Sequence, residues 1–351
     1  MPSAPQILEC TLRDGSYAVD FQFNAEDTSR IAHRLDTLGF PLIEVGHGIG
    51  LGASEKRMGT AAATDEEYMI AARSAVTRGR WGMFCIPGVA DLSHLDLAAD
   101  NGMGFIRIGF EVSEVAAARP FIEKARKLGL YVFANFMKSY ASPPAFFAEQ
   151  AKACSEYGAQ CIYIVDSAGG MLPNEIGSYI DALRTAIPDV TLGFHGHNNL
   201  GMGVANALYC SERGVAVIDT SLQGFGRSSG NTQTEHFVSV LIRAGFTVDY
   251  DPIDVMQAGE ELIRPLIRDI GYSSLDITAG LALFHSSYMT RVLKAAKAHR
   301  VDPRRLILAL CRRDKVNAPA ELIEQAALEV KALHAPMSPL LVKQYFGEEQ
   351  A

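Results

Sequence analysis

Two histidines separated by one residue, His195 and His197, stand near the start of the segment 193–208, GFHGHNNLGMGVANAL. Because residues i and i+2 of a strand point to the same face, both imidazoles can reach one metal ion. A carboxylate, Asp14, follows the first apolar run of the chain, and Arg13 precedes it directly. Two imidazoles and one carboxylate leave coordination positions open for substrate oxygens. This set predicts a site for Mn²⁺, Mg²⁺, Fe²⁺ or Zn²⁺.

A divalent ion with one anionic ligand leaves such a site positively charged, which suits the carboxylate and 2-oxo group of a 2-oxo acid. Arg13 would help to carry the negative charge of an enolate oxygen. The pattern therefore predicts retro-aldol or related carbon–carbon chemistry. The alternative is that the His-X-His pair is two polar residues at a strand end and that Asp14 lies in a turn. The joint position of the three residues at strand exits favours the metal.

A recurring pattern would position these residues: a glycine ends a helical stretch, and a short apolar run follows it. The first helix shows the pattern, with Asn24 as N-cap and Gly39 as its end. Eight βα units predict a TIM (β/α)8 barrel of class α/β, although an open doubly wound sheet remains an alternative. No GxGxxG follows the first strand, and no P-loop is present. The eight runs are 6–10, 37–46, 81–86, 101–109, 127–135, 156–166, 190–195 and 212–221.

After about residue 275 the strand pattern stops and only helical patterns remain. Segment 286–299 is amphipathic, Asp302 with Pro303 starts a second helix, and a third follows Pro319. We therefore expect two domains, a barrel over 1–275 and a small helical domain over 276–351.

Active sites of TIM barrels lie at the carboxyl ends of the strands. This rule selects further polar residues beside the metal set. Arg107 would point into the barrel mouth as a substrate-binding residue, or it would form a structural ion pair with Asp166. Glu44 and His47 would orient ligands or waters by hydrogen bonds. The rule also selects Ser167, which directly follows the apolar run 156–166.

Composition excludes several classes of protein. Hydrophobic residues make up 48% and charged residues 21% of the 351, so the chain can bury a large core. A net charge of −8 without a basic run argues against nucleic-acid or membrane-surface binding. The amino terminus resembles no targeting signal, which leads us to expect a cytoplasmic protein. Six cysteines without CxxC spacing predict reduced thiols in or near the core.

Five segments together resemble a known family: 10–18, 43–52, 163–171, 193–208 and 224–235. They are similar to the metal-dependent lyase superfamily that includes 3-hydroxy-3-methylglutaryl-CoA lyase, isopropylmalate synthase and 4-hydroxy-2-oxovalerate aldolase. The aldolases are the most similar branch. The similarity extends over 277–310, which resembles their communication domain, so it covers nearly the whole chain.

The resemblance implies an aldolase that cleaves a 4-hydroxy-2-oxo acid to pyruvate and an aldehyde. It implies that Arg13 supports the pyruvate enolate, that Ser167 lies near the pyruvate carboxylate, and that Asn231 borders the site. Members of this family typically pair with an acylating aldehyde dehydrogenase, for which the helical domain could be a docking surface. The ligands of the metal, usually manganese, would be Asp14, His195 and His197.

The sequence departs from the family at two positions. Tyr17 stands where the family has its catalytic histidine, and His285 stands where the family has an active-site tyrosine. On reference pKa values the base that removes the 4-hydroxyl proton would be His285. A metal and Arg13 could instead lower the pKa of Tyr17 enough to compete. A third alternative is that neither residue meets the substrate. The exchange also suggests a substrate other than 4-hydroxy-2-oxovalerate.

Other functions remain open at this point. An acyl-CoA lyase or condensing enzyme of the same superfamily is one, but the loop 224–231 lacks the cysteine expected in the lyase branch. A metal-dependent hydrolase is another, although barrel hydrolases usually carry His-X-His on the first strand. A non-catalytic metal-binding partner subunit is a third. The sequence also leaves open whether the protein is a homo-oligomer.

Overall fold

Eight parallel strands close into a barrel in a computed structural model that describes residues 3–267, 273–334, 337 and 339–346. Each strand pairs with its neighbours in chain order, and β8 pairs with β1. The predicted TIM barrel is therefore confirmed, and the open sheet is excluded. The strands are β1 (Gln6–Glu9), β2 (Leu42–Glu44), β3 (Arg80–Cys85), β4 (Phe105–Glu111), β5 (Tyr131–Met137), β6 (Cys161–Asp166), β7 (Thr191–Gly196) and β8 (Val217–Thr220).

A helix follows every strand and packs on the outside of the barrel. These helices are α1 (Ala25–Thr37), α2 (Asp65–Ala75), α3 (Leu92–Asp100), α4 (Val115–Lys127), α5 (Pro144–Tyr157), α6 (Pro173–Ala186), α7 (Gly203–Glu212) and α8 (Thr234–Arg243). The later helices are α9 (Pro252–Leu262), α10 (Ser274–Ala282), α11 (Met289–His299), α12 (Pro303–Cys311), α13 (Ala320–Leu333) and α14 (Pro339–Phe346). Short 3-10 turns include Gly15–Val19, Leu222–Gly224 and Ser286–Tyr288.

Capping and burial explain why these segments fold as they do. Asn24 caps α1 by accepting a hydrogen bond from the Asp27 amide, and the Asp27 side chain accepts from the Asn24 amide in return. The strands are buried on both faces, as expected of a parallel sheet. Their inward side chains form a small core inside the barrel, which includes Phe105, Phe133 and Tyr163. The outward side chains pack under the helices in a larger core.

Helices α10 to α13 build a second hydrophobic core of their own, around Val292, Leu306 and Ile323. This bundle is joined to the barrel by Lys138, whose Nζ donates to Glu111 Oε1 at 2.5 Å and to the carbonyl oxygen of Val316 at 3.0 Å. The predicted domain boundary at residue 275 falls in the first turn of α10. That boundary stays a prediction.

Two expectations from composition can be compared with the structure. The six cysteines are free thiols in buried positions, as predicted. Within the described residues, no helix combines the length and the apolar character needed to cross a membrane.

Candidate active site

The three predicted metal ligands converge at the carboxyl ends of the strands. His195 lies at the end of β7, His197 follows that strand, and Asp14 lies in the turn after β1. One potential ligand atom from each residue lies within 4.8 Å of the others, and all three side chains are buried. His195 Nε2 is 3.4 Å from His197 Nε2 and 3.8 Å from Asp14 Oδ2. The barrel thus brings together residues that are almost two hundred positions apart in the chain.

The second nitrogen of each imidazole is already engaged. His195 Nδ1 lies 2.8 Å from Asp219 Oδ2, and His197 Nδ1 lies 3.2 Å from the carbonyl oxygen of Gly230. When these nitrogens donate their protons, the two Nε2 lone pairs face each other. Asp14 Oδ1 is also buried without a hydrogen-bond partner. Facing lone pairs and an orphaned carboxylate oxygen need a cation between them, so these residues fit a divalent metal.

The protonation states favour the same conclusion. Burial lowers the pKa of His197 to about 3, so its imidazole is neutral near pH 7 and can act as a ligand. Burial by itself would raise the pKa of the Asp14 carboxyl. The pKa is nevertheless held well below its usual range by Arg13, the two histidines and Arg227. The site therefore offers the neutral imidazole of His197 and the ionised carboxylate of Asp14 as ligands.

Arg13 is fixed next to this set by two carboxylates. Its Nη1 donates to Asp14 Oδ2 at 2.6 Å, and its Nε donates to Glu44 Oε2 at 2.8 Å. Its Nη2 makes no hydrogen bond to another described residue, and the side chain lines the cavity. Arg13 is therefore held in one orientation with a donor left for a ligand.

Arg107 does not lie where the sequence led us to expect it. It is 0% exposed and forms no part of the cavity wall, so the structure does not support a substrate-binding role. Nor does it pair with Asp166. It lies below the site, with Nη1 2.8 Å from Glu44 Oε2 and Nη2 2.5 Å from Asp219 Oδ2. Arg107 lies on β4, between β3 and β5, and its side chain points into the barrel. There it links Glu44, which holds Arg13, to Asp219, which contacts His195.

The roles that the resemblance implied for Ser167 and Asn231 stay predictions, but the structure gives the position of both residues. Ser167 lines the cavity, and its hydroxyl accepts a hydrogen bond from the Lys138 amide at 3.0 Å. Asn231 is 1% exposed, and its Oδ1 has no hydrogen-bond partner. A Cβ on Gly226 would lie 2.5 Å from Asn231 Nδ2 and 3.0 Å from Asp14 Oδ1. The glycine-rich loop after β8 is therefore packed against Asp14, and a side chain at position 226 would displace Asn231 or Asp14.

Tyr17 and His285 also line the cavity, although the distance between them in the chain is large. His285 is buried, and its Nδ1 lies 2.7 Å from the hydroxyl oxygen of Ser287. Burial, together with Arg227 and Lys138, lowers the pKa of His285 well below its usual value. Burial raises the pKa of Tyr17, although Arg227 opposes this shift. Near pH 7 the imidazole is thus unprotonated and the phenol keeps its proton.

The remaining strand-end residues have other partners. Glu44 was expected to orient a metal ligand or a water, and it instead accepts a hydrogen bond from Arg13. His47 instead bonds its own loop, with Nε2 3.2 Å from the carbonyl oxygen of Gly59. Asp166 accepts from the amides of the loop after β6 and shapes that loop.

The reasoning from sequence did not single out two residues of this site, Asp219 and Arg227. Asp219 lies near the end of β8, so the strand-end rule alone could have selected it. Arg227 belongs to a loop in which the glycines drew attention, and no spacing marks it. Both residues line or support a cavity of about 1030 Å³ that opens above the metal ligands.

A closed barrel of eight parallel strands, with two imidazoles and a carboxylate converging at its carboxyl end, defines a metal-binding (β/α)8 barrel. The family model for HMGL-like proteins matches residues 4–262 of this chain. The chain belongs to the HMGL-like family, and the predicted recognition is confirmed.

Curated relatives narrow the comparison. The chain is 39% identical over 327 residues to "4-hydroxy-2-oxovalerate aldolase 2" of Rhodococcus jostii (strain RHA1), which covers 92% of this chain and 94% of the relative. It is 37% identical over 325 residues to "4-hydroxy-2-oxovalerate aldolase" of Moorella thermoacetica, with 92% and 96% covered.

Solved structures support the fold. An HMG-CoA lyase from Brucella melitensis superposes with a TM-score of 0.64 at 20% identity, covering 76% of this chain and all of that one. The carboxyl transferase domain of Rhizobium etli pyruvate carboxylase gives a TM-score of 0.74 at 16% identity, covering 94% of this chain and 60% of that one. At these identities the similarity concerns the fold alone.

Proposed function

We propose that the protein is a divalent-metal-dependent aldolase that cleaves a 4-hydroxy-2-oxo acid to pyruvate and an aldehyde, or joins the two. The observation that carries this proposal is the position of Arg13 in the mouth of the barrel. Its Nη1 donates a hydrogen bond to Oδ2 of the proposed metal ligand Asp14 at 2.6 Å. The predicted carbon–carbon lyase, an aldehyde-lyase, is confirmed by the relatives named above.

Each residue of the site would have a separate role in the reaction. When bound, the metal would supply Lewis acidity to the 2-oxo group. Ser167 would hold the carboxylate of the 2-oxo acid, and Arg13 would stabilise the negative charge on the enolate oxygen through its remaining donor. A base takes the proton of the 4-hydroxyl as the bond between C3 and C4 breaks. The bonding electrons pass to C3 and form the enolate, which becomes pyruvate when C3 is protonated.

We assign the base role to His285. Its imidazole is neutral near pH 7 because burial and the neighbouring cations lower its pKa. When Nδ1 donates its proton to the Ser287 hydroxyl at 2.7 Å, the lone pair of Nε2 is available as the base. Tyr17 keeps its proton, because burial raises its pKa, and is therefore suited to donate a hydrogen bond to the substrate oxygen. The alternative assignment, with Tyr17 as base, requires a metal-induced fall in the pKa of the phenol.

The metal that we propose is Mn²⁺, which the resemblance to this family implies. The mixed nitrogen and oxygen donors and the lack of a thiolate are compatible with it but do not single it out. Mg²⁺, Fe²⁺ and Zn²⁺ are the alternatives. Metal analysis of the purified protein, followed by reconstitution of the chelated protein with each ion, would identify it.

An acylating aldehyde dehydrogenase is the partner that we propose for the helical unit. The support is an exposed apolar pair on α10, Ile277 at 48% and Leu281 at 66% exposure, four residues apart on one helix face. Co-purification of the two proteins, compared with an Ile277→Ser/Leu281→Ser variant, would test this. The cytoplasmic location and the oligomeric state stay predictions, which cell fractionation and light scattering would check.

The function is tested by incubating the purified protein with Mn²⁺ and a panel of 4-hydroxy-2-oxo acids while pyruvate is measured. We expect pyruvate to appear in proportion to substrate consumed and to cease after chelation. Absence of pyruvate with every compound of the panel would leave the non-catalytic subunit as the better interpretation. Release of acetyl-CoA from an acyl-CoA substrate would favour the acyl-CoA lyase.

A further inference from the structure

Arg227 extends from the loop after β8 into the cavity and contacts both residues that depart from the family pattern. Its Nη2 lies 3.2 Å from His285 Nε2, and its Cζ lies 5.6 Å from the centroid of the Tyr17 ring. One guanidinium therefore joins the two side chains that would handle the 4-hydroxyl group of the substrate. Nothing in the function proposed above requires a cation at this place.

Among the residues that the structure describes, no carboxylate lies within salt-bridge distance of Arg227, although its charge helps to lower the pKa of Asp14. The other two arginines of the site are neutralised, Arg13 by Asp14 and Glu44, and Arg107 by Glu44 and Asp219. Arg227 makes no such ion pair, and its Nε is buried without a hydrogen-bond partner. An unpaired buried donor on a charged group is costly, so a cation in this condition is best explained by an anionic ligand that completes it.

The surroundings of Arg227 also favour an anion. Near pH 7, Tyr17 and His285 are uncharged, so neither neutralises the guanidinium. A second cation, the exposed Arg264, lines the same cavity. The one carboxylate of the lining other than Asp14 is Asp276, which accepts hydrogen bonds from Ser228 and Ser273. Among the described residues, the cavity therefore carries more positive than negative charge.

The position of Arg227 decides which end of the substrate it meets. In the reaction proposed above, the metal, Arg13 and Ser167 would hold the end that becomes pyruvate. Arg227 contacts His285 and Tyr17, which would bind the 4-hydroxyl group, so it would lie beside the carbon that becomes the aldehyde. A guanidinium presents parallel donors that match the two oxygens of a carboxylate or of a phosphate.

We propose that Arg227 determines specificity by binding an anionic group on the aldehyde half, so that the substrate is a 4-hydroxy-2-oxo acid with a second carboxylate or a phosphate beyond C4. This inference rests on the proposed aldolase function. It narrows the substrate class from 4-hydroxy-2-oxo acids in general to dianionic ones, and it gives the cavity a second anion site opposite the pyruvate site.

The experiment measures aldol addition of pyruvate to matched aldehydes by the Mn²⁺-loaded protein. Succinic semialdehyde is compared with butanal for the carboxylate arm, and glyceraldehyde 3-phosphate with glyceraldehyde for the phosphate arm. We expect kcat/KM to favour the anionic member of at least one pair by about 10- to 100-fold, the range of a hydrogen-bonded charge pair. The arm that shows the preference identifies the anion.

Arg227→Gln should reduce this preference to within about threefold, because the amide keeps hydrogen bonding but loses the charge. The matched control is Arg119→Gln, which removes an exposed cation outside this cavity and should keep the preference. A binding measurement complements the kinetics: calorimetry with succinate and with inorganic phosphate should show at least tenfold weaker binding to Arg227→Gln for the anion of the preferred arm.

The outcomes separate this inference from the proposed function. If no aldehyde of either pair reacts, the aldolase function itself fails. If neutral and anionic aldehydes react equally well, or if Arg227→Gln keeps the preference, the aldolase stands and the role of Arg227 is wrong. If Arg227→Gln raises the KM for pyruvate equally with every aldehyde, the arginine serves the pyruvate carboxylate, and the inference is likewise overturned.

Discussion

Asp219 offers the sharpest test of how the barrel supports its metal site. Its Oδ2 lies 2.8 Å from His195 Nδ1 and 2.5 Å from Arg107 Nη2, and its Oδ1 accepts a hydrogen bond from the Tyr163 hydroxyl at 2.8 Å. Its exposure is 1%, so solvent does not screen these contacts. The change Asp219→Asn keeps the shape of the side chain and removes its charge.

The expected effect on metal binding follows from the hydrogen bond to His195. A carboxylate behind a ligating histidine fixes the ring and increases its basicity, and loss of such a partner typically weakens metal binding by about 10- to 100-fold. This corresponds to about 1.4–2.8 kcal/mol. We expect a loss within this range, because the ring of His195 would keep its place in β7 but lose the charge that orients it.

The expected effect on stability follows from Arg107. Removal of one partner from a buried ion pair typically costs about 3–5 kcal/mol. Arg107 would keep its contact with Glu44 Oε2 at 2.8 Å, so we expect a decrease at the lower end, about 3 kcal/mol.

Two measurements check these values. Mn²⁺ affinity is obtained by competition with a fluorescent chelator, and the free energy of unfolding of the chelated protein is obtained from urea denaturation. Asp181→Asn is the control, since Asp181 pairs with Arg213 on the surface and its side chain is 65% exposed. Affinity within twofold of the wild-type value in Asp219→Asn would refute the idea that this carboxylate orients His195.

Three further predictions concern the metal, the base and a buried carboxyl. Asp14→Asn removes the anionic ligand and should reduce both Mn²⁺ affinity and aldolase kcat by at least about 100-fold, whereas Asp20→Asn in the same turn should change neither by more than twofold. His285→Ala should reduce kcat by about 10²- to 10⁴-fold and abolish the acidic limb of the pH–rate profile. Tyr17→Phe should reduce kcat less. If neither substitution reduces kcat by more than about tenfold, both assignments are wrong. Burial raises the pKa of Glu9 to about 7, so its stabilising contribution is complete below about pH 4.5 and is lost as the pH rises through 7. The free energy of unfolding of Glu9→Gln, minus that of the wild type, should therefore increase by about 2–3 kcal/mol from pH 5 to pH 8. If this difference does not change with pH, the pKa of Glu9 is not raised.

The fold and the convergence of the three candidate metal ligands were predictable because their signals are local. Short buried runs after helix-ending glycines indicate strands, and capping residues such as Asn24 indicate where helices begin. A closed barrel then places β1 and β7 on either side of β8, so a carboxylate and an imidazole pair at their ends must meet. The exchange of residue types at Tyr17 and His285 was also visible in the sequence.

Other parts of the site depended on how neighbouring strands are turned and staggered. Arg107 follows the same pattern as a mouth residue, but the stagger of β4 places it under the site, between Glu44 and Asp219. Arg227 lies in a loop without periodicity, so its contact with His285, almost sixty residues later, could not be inferred from spacing.

The sequence by itself determined the barrel, the helical unit and the meeting of the three candidate metal ligands, because strand periodicity and chain order fix which strand ends become neighbours. Only the tertiary structure decided which charges are neutralised. An ion pair depends on ångström-scale distances across strands and loops that local pattern does not encode. That is why the buried chain from Arg13 to Asp219, and the unpaired charge of Arg227 above it, became visible only in three dimensions.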